Sequence, residues 1–131
     1  MPVLTIYHNP RCSKSRNALA ILQDNQSKDG NVNYELDIIK YQDVPPSPET
    51  LQQLAEYLGL TNEDAAHKPW NYLLRPDAQR RAGSWEEAFA LIQAEPATLE
   101  RPFVIDWDSR KATLGRPDLS GVEKLVAQRT L

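Results

Sequence analysis

The hydrophobic positions in the first third of the chain follow a strand, helix, strand pattern. Residues 3–7 form a short apolar and β-branched run that ends in a proline-containing turn, as in a buried strand. From Ser13 or Ser15 onward, apolar residues recur at helical spacing until residues 29–31, and the two serines are available as N-caps. Residues 32–38 alternate between apolar and polar, as in a strand with one buried face. This spacing predicts a βαβ unit with parallel strands and a right-handed crossover.

The middle of the chain is predicted to be helical. Residues 48–58 place leucines on one helical face before Gly59 closes the helix. Residues 61–81 are polar with scattered apolar positions, which favours one or two short helices. Ser84, followed three residues later by a glutamate, is a capping box for a helix that ends near residues 95–96.

The last third of the chain adds a hairpin and a closing helix. Residues 103–107 are apolar, residues 108–109 are typical of a turn, and residues 111–115 provide the partner strand. From Ser120 onward, apolar residues on one face predict a helix. The order β-α-β, helices, β-β-α predicts an α/β thioredoxin-like fold: a mixed four-stranded sheet with flanking helices and a helical insertion. Residues 1–131 are predicted to form a single domain of this type.

Composition and charge narrow the class of protein. The 131 residues are 40% hydrophobic and 25% charged, which is typical of globular proteins that fold in water. Fifteen lysines and arginines against 18 aspartates and glutamates give a net charge of -3, which disfavours nucleic-acid binding. The N-terminus lacks the pattern of a signal peptide, and no run approaches about 18 apolar residues. We therefore expect a cytoplasmic protein that does not bind membranes.

The chain has one cysteine, Cys12, which is predicted to lie at or just before a helix start. Unpaired backbone N–H groups and the helix dipole stabilise a thiolate there, and Arg11, Lys14 and Arg16 add positive charge. This setting predicts a thiol with a lowered pKa that acts as a nucleophile. His8, four residues earlier, is expected either to lend positive charge to the thiolate or orient it, or to cap the sheet edge.

Neighbouring positions exclude two other uses of this cysteine. A tyrosine-phosphatase phosphate cradle needs an arginine where Ala18 stands. A Cys-x-x-Cys dithiol needs a second cysteine at Asn9 or Ser15. Any disulfide chemistry therefore requires a thiol from another molecule.

Arg75, Arg101 and Arg116 each precede a proline. A residue before proline favours extended backbone, so these side chains project from constrained segments. Convergence of such guanidinium groups on a thiolate would create a site for a tetrahedral oxyanion. The alternative is that they are ordinary solvated arginines.

Residues 7–17, together with residues 100–104 and 114–117, resemble the glutaredoxin-coupled arsenate reductase family of thioredoxin-like proteins. The resemblance covers almost the whole chain. Characterised arsenate reductases of this type tend to carry Gly-Thr after the cysteine, whereas this chain has Cys-Ser-Lys-Ser-Arg at residues 12–16. In this respect it is more similar to a sister branch of reductase-like proteins. In similar proteins a cis proline often lies beside the site, and Pro102 is the candidate here.

The resemblance implies a thiol-dependent oxidoreductase. Cys12 would attack arsenate to give a thiol–arsenate adduct, His8 would assist the thiolate, and glutathione and glutaredoxin would complete the reduction to arsenite. Glutathione is thus the expected co-substrate and glutaredoxin the expected partner. The resemblance implies no bound metal, flavin or nicotinamide, and neither early strand precedes a glycine-rich dinucleotide fingerprint.

The family's oxyanion-binding arginines correspond to Arg101 and Arg116. Its third arginine, in a Leu-Leu-Arg segment, best matches Arg75, with Arg80 or Arg81 as alternatives. Two other functions remain compatible with the sequence. One is a redox-responsive adaptor of the same fold that binds a protein such as RNA polymerase without turnover. The other is a glutathione-handling protein in which the cysteine only accepts mixed disulfides.

Overall fold

The computed structural model describes residues 1–130, and their contacts group into two units. The first unit consists of residues 1–40 and 101–130, and the second consists of residues 41–100. No helix in the described part of the chain is long and apolar enough to cross a membrane.

The first unit contains a four-stranded mixed sheet. Its strands are β1 (Val3–His8), β4 (Glu35–Lys40), β5 (Phe103–Asp106) and β6 (Lys111–Leu114). The same unit contains the helices α1 (Ser13–Asp24) and α4 (Ser120–Arg129) and a two-stranded ribbon of β2 (Ser27–Lys28) and β3 (Asn31–Val32). The sheet order is β4-β1-β5-β6. β1 runs parallel to β4 and antiparallel to β5, and β5 runs antiparallel to β6. The predicted parallel βαβ pair and the predicted hairpin are both confirmed.

The hydrophobic core of this unit lies between the sheet and the helices α1 and α4. Five of the six residues of β1 are buried, because this strand has a neighbour on each side. The apolar faces that the sequence predicts for α1 and α4 pack against the sheet. The core comprises Leu4, Ile6, Ala18, Leu22, Tyr34, Val104, Val122, Leu125 and Val126.

The alternating run at residues 32–38 does not form one strand as predicted. Val32 belongs to the short ribbon of β2 and β3, and β4 begins only at Glu35. Asn33 causes the break: its N–H donates to the Gln26 carbonyl at 2.7 Å, and its side-chain amide donates to the Asn25 carbonyl at 2.9 Å. These bonds hold residues 32–33 near the end of α1, so Val32 is exposed instead of buried.

The second unit is helical, as the sequence predicts. It contains α2 (Pro48–Tyr57) and α3 (Trp85–Ala94), together with short 3-10 helices at Ala65–His67, Pro69–Leu73, Pro76–Arg81 and Pro96–Thr98. The predicted cap of α3 is present, because Ser84 accepts from the Glu87 N–H at 3.0 Å, and Ser47 caps α2 in the same way by accepting from the Thr50 N–H at 3.1 Å. Residues 61–81 form three short 3-10 helices instead of the one or two predicted helices.

Candidate active site

Cys12 lies in a tight loop between β1 and α1. Its backbone N–H donates to the Asn9 carbonyl at 3.0 Å, and its own carbonyl accepts the first helical hydrogen bond, from Arg16, at 3.0 Å. Cys12 is therefore the N-cap residue of α1, which confirms its predicted place just before the helix, whereas Ser13 and Ser15, which were available as N-caps, lie inside the helix. The thiol thus faces the N-terminus of the helix, where unpaired N–H groups favour an anion.

His8 and Ser15 form a buried pair that connects the end of β1 to the first turn of α1. His8 Nδ1 lies 2.6 Å from Ser15 Oγ, and the Asn9 N–H donates to the same oxygen at 2.9 Å. Since the serine hydroxyl accepts from Asn9, its own proton is available for the imidazole. Nδ1 can therefore act as the acceptor, with the ring proton on Nε2, whereas the opposite direction, from an Nδ1–H to the second lone pair of the hydroxyl, corresponds to the other tautomer.

The electrostatics agree with a neutral His8. Burial lowers the pKa of His8 below its usual 6.5, and the positive charges of Lys40 and Arg16 lower it further. The imidazole is thus uncharged at neutral pH. The contact with Ser15 links His8 to the first turn of α1, and its role in assisting the Cys12 thiolate stays a prediction.

Arg116 contacts the thiol directly. Its Nη2 donates to Cys12 Sγ at 3.3 Å, and its Nε donates to the Arg101 carbonyl at 2.6 Å. The pairing of the sheet explains this convergence: Tyr7 at the end of β1 lies opposite Phe103 at the start of β5, which lies opposite Leu114 at the end of β6. The cysteine loop and both arginine segments therefore meet at one end of the sheet.

Both arginine segments have unusual backbone conformations. The peptide bonds Arg101–Pro102 and Arg116–Pro117 are cis. The first agrees with the expectation for Pro102, whereas the second was not predicted. Between the two segments, the Gly115 N–H donates to the Pro102 carbonyl at 2.8 Å. A Cβ atom on Gly115 would lie 2.8 Å from Pro102 Cγ, so this close approach requires glycine.

The surroundings of the thiol favour its ionised form. Burial by itself raises the pKa of Cys12, whose residue is 8% exposed. The Ser15 backbone N–H, the hydrogen bond and charge of Arg116, and the charge of Arg101 together outweigh burial and lower the pKa below the usual value. The site therefore combines a thiol whose pKa is lowered with positive charge that suits an oxyanion.

The third candidate arginine belongs to the second unit. Arg75 is the N-cap residue of the 3-10 helix Pro76–Arg81, and its Nε lies 3.7 Å from an Asp77 carboxylate oxygen. Arg81 is held by Glu95, with 3.1 Å between Nη1 and Oε1, and Arg80 is exposed. A role for Arg75 in anion binding stays a prediction.

From the sequence, Ser15 is predicted only as a candidate N-cap. A signal for its real place was present, because Ser15 shares its helical face with the apolar residues Ala18 and Leu22, and all three are buried. A hydroxyl on an apolar helix face has to find a hydrogen-bond partner.

Among the described residues, no three His, Cys, Asp or Glu side chains are grouped as a metal site.

Comparisons with known proteins place the chain in a family. The model of the ArsC family matches residues 7–123. An arsenate reductase of Neisseria meningitidis is 35% identical, over 96% of this chain and 100% of that protein. The uncharacterized protein YfgD of Escherichia coli is 35% identical, over 86% of this chain and 87% of that protein.

A solved structure agrees with these sequence matches. The arsenate reductase from Vibrio cholerae is similar with a TM-score of 0.69 and 31% identity, covering 94% of this chain and 97% of that one. This similarity confirms the predicted thioredoxin-like fold. Because the family match extends from the end of β1 into α4 and includes Cys12, Arg101 and Arg116, the chain belongs to the ArsC family.

Proposed function

We propose that this protein is a thiol-dependent arsenate reductase, in which Cys12 attacks arsenate and glutathione and glutaredoxin supply the reducing thiols. The observation that carries the proposal is the 3.3 Å contact between the Arg116 guanidinium and Cys12 Sγ. It pairs a nucleophile with a group that binds tetrahedral oxyanions. The similarity to proteins named arsenate reductases supports the same substrate.

The proposed reaction begins with the Cys12 thiolate. Its sulfur forms a bond to arsenic, and one arsenic–oxygen bond breaks as that oxygen leaves as water after protonation. A first external thiol then displaces a second oxygen as water and forms its own sulfur–arsenic bond. The second external thiol attacks that sulfur, so a disulfide leaves and its bonding electron pair stays on arsenic, which is thereby reduced from As(V) to As(III). Water finally displaces the Cys12 sulfur from arsenic, which releases arsenite and regenerates the thiol. Overall, arsenate and two glutathione molecules give arsenite, glutathione disulfide and water. An external thiol is required because the chain has a single cysteine.

The arginines would hold the oxyanion. Arg116 would contact an arsenate oxygen from its position beside the sulfur, and Arg101 would contribute charge from the adjacent segment. Both guanidinium groups also stabilise the thiolate before the substrate binds. We extend the proposal to Arg75 as a third ligand. The ion pair of Arg81 with Glu95 makes Arg81 a weaker candidate for that role.

The motif Cys-Ser-Lys-Ser-Arg leads us to assign the chain to the reductase-like branch of the family. Its charged third residue, Lys14, distinguishes the cysteine loop from one with Gly-Thr after the cysteine. We therefore propose arsenate as a substrate that this site accepts, within the broader class of tetrahedral oxyanions.

The test is arsenite production from arsenate with glutathione and a catalytic amount of glutaredoxin. We expect turnover by the wild type and none by Cys12→Ser, with Lys28→Met as a surface control that keeps the wild-type rate. Arg101→Ala and Arg116→Ala should each weaken oxyanion binding by about 1–3 kcal/mol, measured by competition with sulfate. Equal nonzero rates for wild type and Cys12→Ser would remove the cysteine from the mechanism.

The third arginine is tested in the same assay by comparing three variants. Arg75→Ala is expected to raise the KM for arsenate, whereas Arg80→Ala and Arg81→Ala are expected to leave it unchanged. A raised KM for Arg80→Ala or Arg81→Ala alone would assign the third ligand to that residue instead.

A further inference from the structure

Lys14 makes a long-range contact that the proposed reaction does not use. Its Nζ donates to the Pro117 carbonyl at 2.7 Å, across 103 residues of sequence. Lys14 is the second residue of α1 and lies two residues after Cys12. Pro117 directly follows Arg116. The contact therefore links the segment that carries the nucleophile to the segment that carries the guanidinium.

The segment that carries Arg116 and Pro117 also attracts Lys14 electrostatically, through Asp118. Hydrogen bonds from Ser120 lower the pKa of Asp118, and the positive charges of Lys14 and Lys124 lower it further. The Asp118 carboxylate is thus anionic at neutral pH and lies within electrostatic reach of Lys14. A carbonyl acceptor and a carboxylate, on consecutive residues, both attract this ammonium group.

The position of Arg116 depends on how its loop is held. Two hydrogen bonds hold the loop on the side of the sheet. The Gly115 N–H donates to the Pro102 carbonyl, and Arg116 Nε donates to the Arg101 carbonyl. Those bonds tie the loop to the neighbouring arginine segment, and neither reaches α1. The bond from Lys14 to Pro117 ties the loop to the helix that Cys12 caps. Together with the Arg116–Cys12 contact it closes a ring of interactions.

We propose that Lys14 is a positioning residue that holds the Arg116 segment against the N-terminus of α1 and so keeps the guanidinium on the Cys12 sulfur. This inference rests on Cys12 being the nucleophile proposed above. Lys14 acts through Arg116, since its ammonium group is bonded to the carbonyl of Pro117.

The test is a double-mutant cycle read out on the thiol itself. Lys14→Met keeps the aliphatic stem and removes the donor, and it is combined with Arg116→Ala. The rate of Cys12 alkylation by iodoacetamide, measured across pH, reports the thiolate fraction and requires neither arsenate nor glutathione. The result is therefore separate from the success or failure of arsenate turnover. Lys28→Met is the matched control, an exposed lysine of the same unit.

We expect Lys14→Met to lower the alkylation rate at neutral pH by roughly threefold to tenfold, as for loss of one hydrogen bond. Lys14→Arg, which retains a donor, should restore most of the rate, and Lys28→Met should have no effect. In the Arg116→Ala background, Lys14→Met should change nothing further. An equal effect in both backgrounds would show that Lys14 acts by its own charge and would overturn the proposal, as would wild-type alkylation by Lys14→Met.

Discussion

Arg116 donates to the sulfur of Cys12 although the two residues lie 104 positions apart in the chain. The contact depends on the sheet, because the end of β1, the start of β5 and the end of β6 are in register. The carbonyl of Arg101 then fixes the guanidinium by its Nε, which leaves Nη2 directed at the thiol. The pKa of the Cys12 thiol thus depends on a hairpin at the other end of the sequence as well as on the local Ser15 backbone N–H.

Replacing Arg116 is expected to raise the pKa of Cys12. Arg116→Ala removes a charge-assisted hydrogen bond and its positive charge, each of which favours the thiolate. Such a bond contributes about 1.5–3 kcal/mol, so the alkylation rate at neutral pH should fall by roughly tenfold or more. Arg116→Lys keeps the charge without the two-pronged geometry and should give an intermediate rate. An unchanged ultraviolet thiolate titration in Arg116→Ala would contradict this assignment.

The fold was largely predictable, because hydrophobic periodicity reports local structure. β1, β5, β6 and α4 appear where apolar spacing places them. α1 begins as predicted but ends at Asp24 instead of near residues 29–31, and Ser27–Lys28 pairs with Asn31–Val32 as a short ribbon. The prediction fails at residues 32–38, where alternation alone indicates a continuous strand. Side-chain and backbone bonds from Asn33 to the end of α1 override that signal, and no periodicity reports such bonds.

The candidate site was predictable only where neighbouring residues in the sequence determine a residue's position. The position of Cys12 at a helix start follows from the turn before it and the periodicity after it. The contact of Arg116 with the sulfur depends on strand register, which the sequence of either segment does not contain. The bond from Lys14 to Pro117 is a contact of the same kind, and it was not predicted.

Gly115→Ala is expected to disturb both stability and the site. The new Cβ would lie 2.8 Å from Pro102 Cγ and 3.2 Å from Leu119 Cδ2, and a proline ring cannot rotate away. The backbone next to Arg116 must therefore shift, at a cost on the order of 1–3 kcal/mol, typical of overpacking. Urea denaturation measures this cost, and Cys12 alkylation reports the displacement of Arg116.

Gly83→Ala is the matched control for that variant. A Cβ there meets only Glu87 Oε1, at 3.5 Å, which is ordinary contact. Its free energy of unfolding should stay within about 0.5 kcal/mol of wild type. Equal stability of the two glycine variants would show that the Gly115 approach to Pro102 is looser than the structure indicates.

The pair of His8 and Ser15 predicts a specific titration. Burial and the positive charges of Lys40 and Arg16 lower the pKa of His8. We predict that the Ser15 hydroxyl, 2.6 Å away, donates to Nδ1 and so favours the neutral ring further. Ser15→Ala removes that donor, so the pKa of His8 should rise towards its usual value. NMR titration of the imidazole measures the change, and the nitrogen shifts should show Nε2 protonated in the wild type. A protonated Nδ1 at neutral pH would contradict the network.

Asp106 and Arg129 form an ion pair that ties α4 to β5, in which the carboxylate is buried and the Arg129 side chain is 22% exposed. Arg129 donates to both carboxylate oxygens, at 2.8 Å and 2.9 Å, and the Asp106 side chain is fully buried. Burial raises the pKa of Asp106, but the hydrogen bonds from Arg129 and from the Ser109 N–H outweigh it and lower the pKa below 3.8. The pair therefore stabilises the fold fully above the unfolded pKa, and this contribution is lost as pH falls through the folded pKa.

Arg129→Met should reverse that pH dependence. The variant leaves a buried carboxylate without its cation, which should cost about 3 kcal/mol at neutral pH. The pKa of Asp106 should then rise above its unfolded value, so the stability lost at neutral pH is regained as acid protonates the group. Urea denaturation at neutral and mildly acidic pH should show the gap to wild type narrowing with acidification. Lys124→Met, an exposed change on the same helix, should show a constant small difference, and a constant gap for Arg129→Met would exclude Asp106 as its cause.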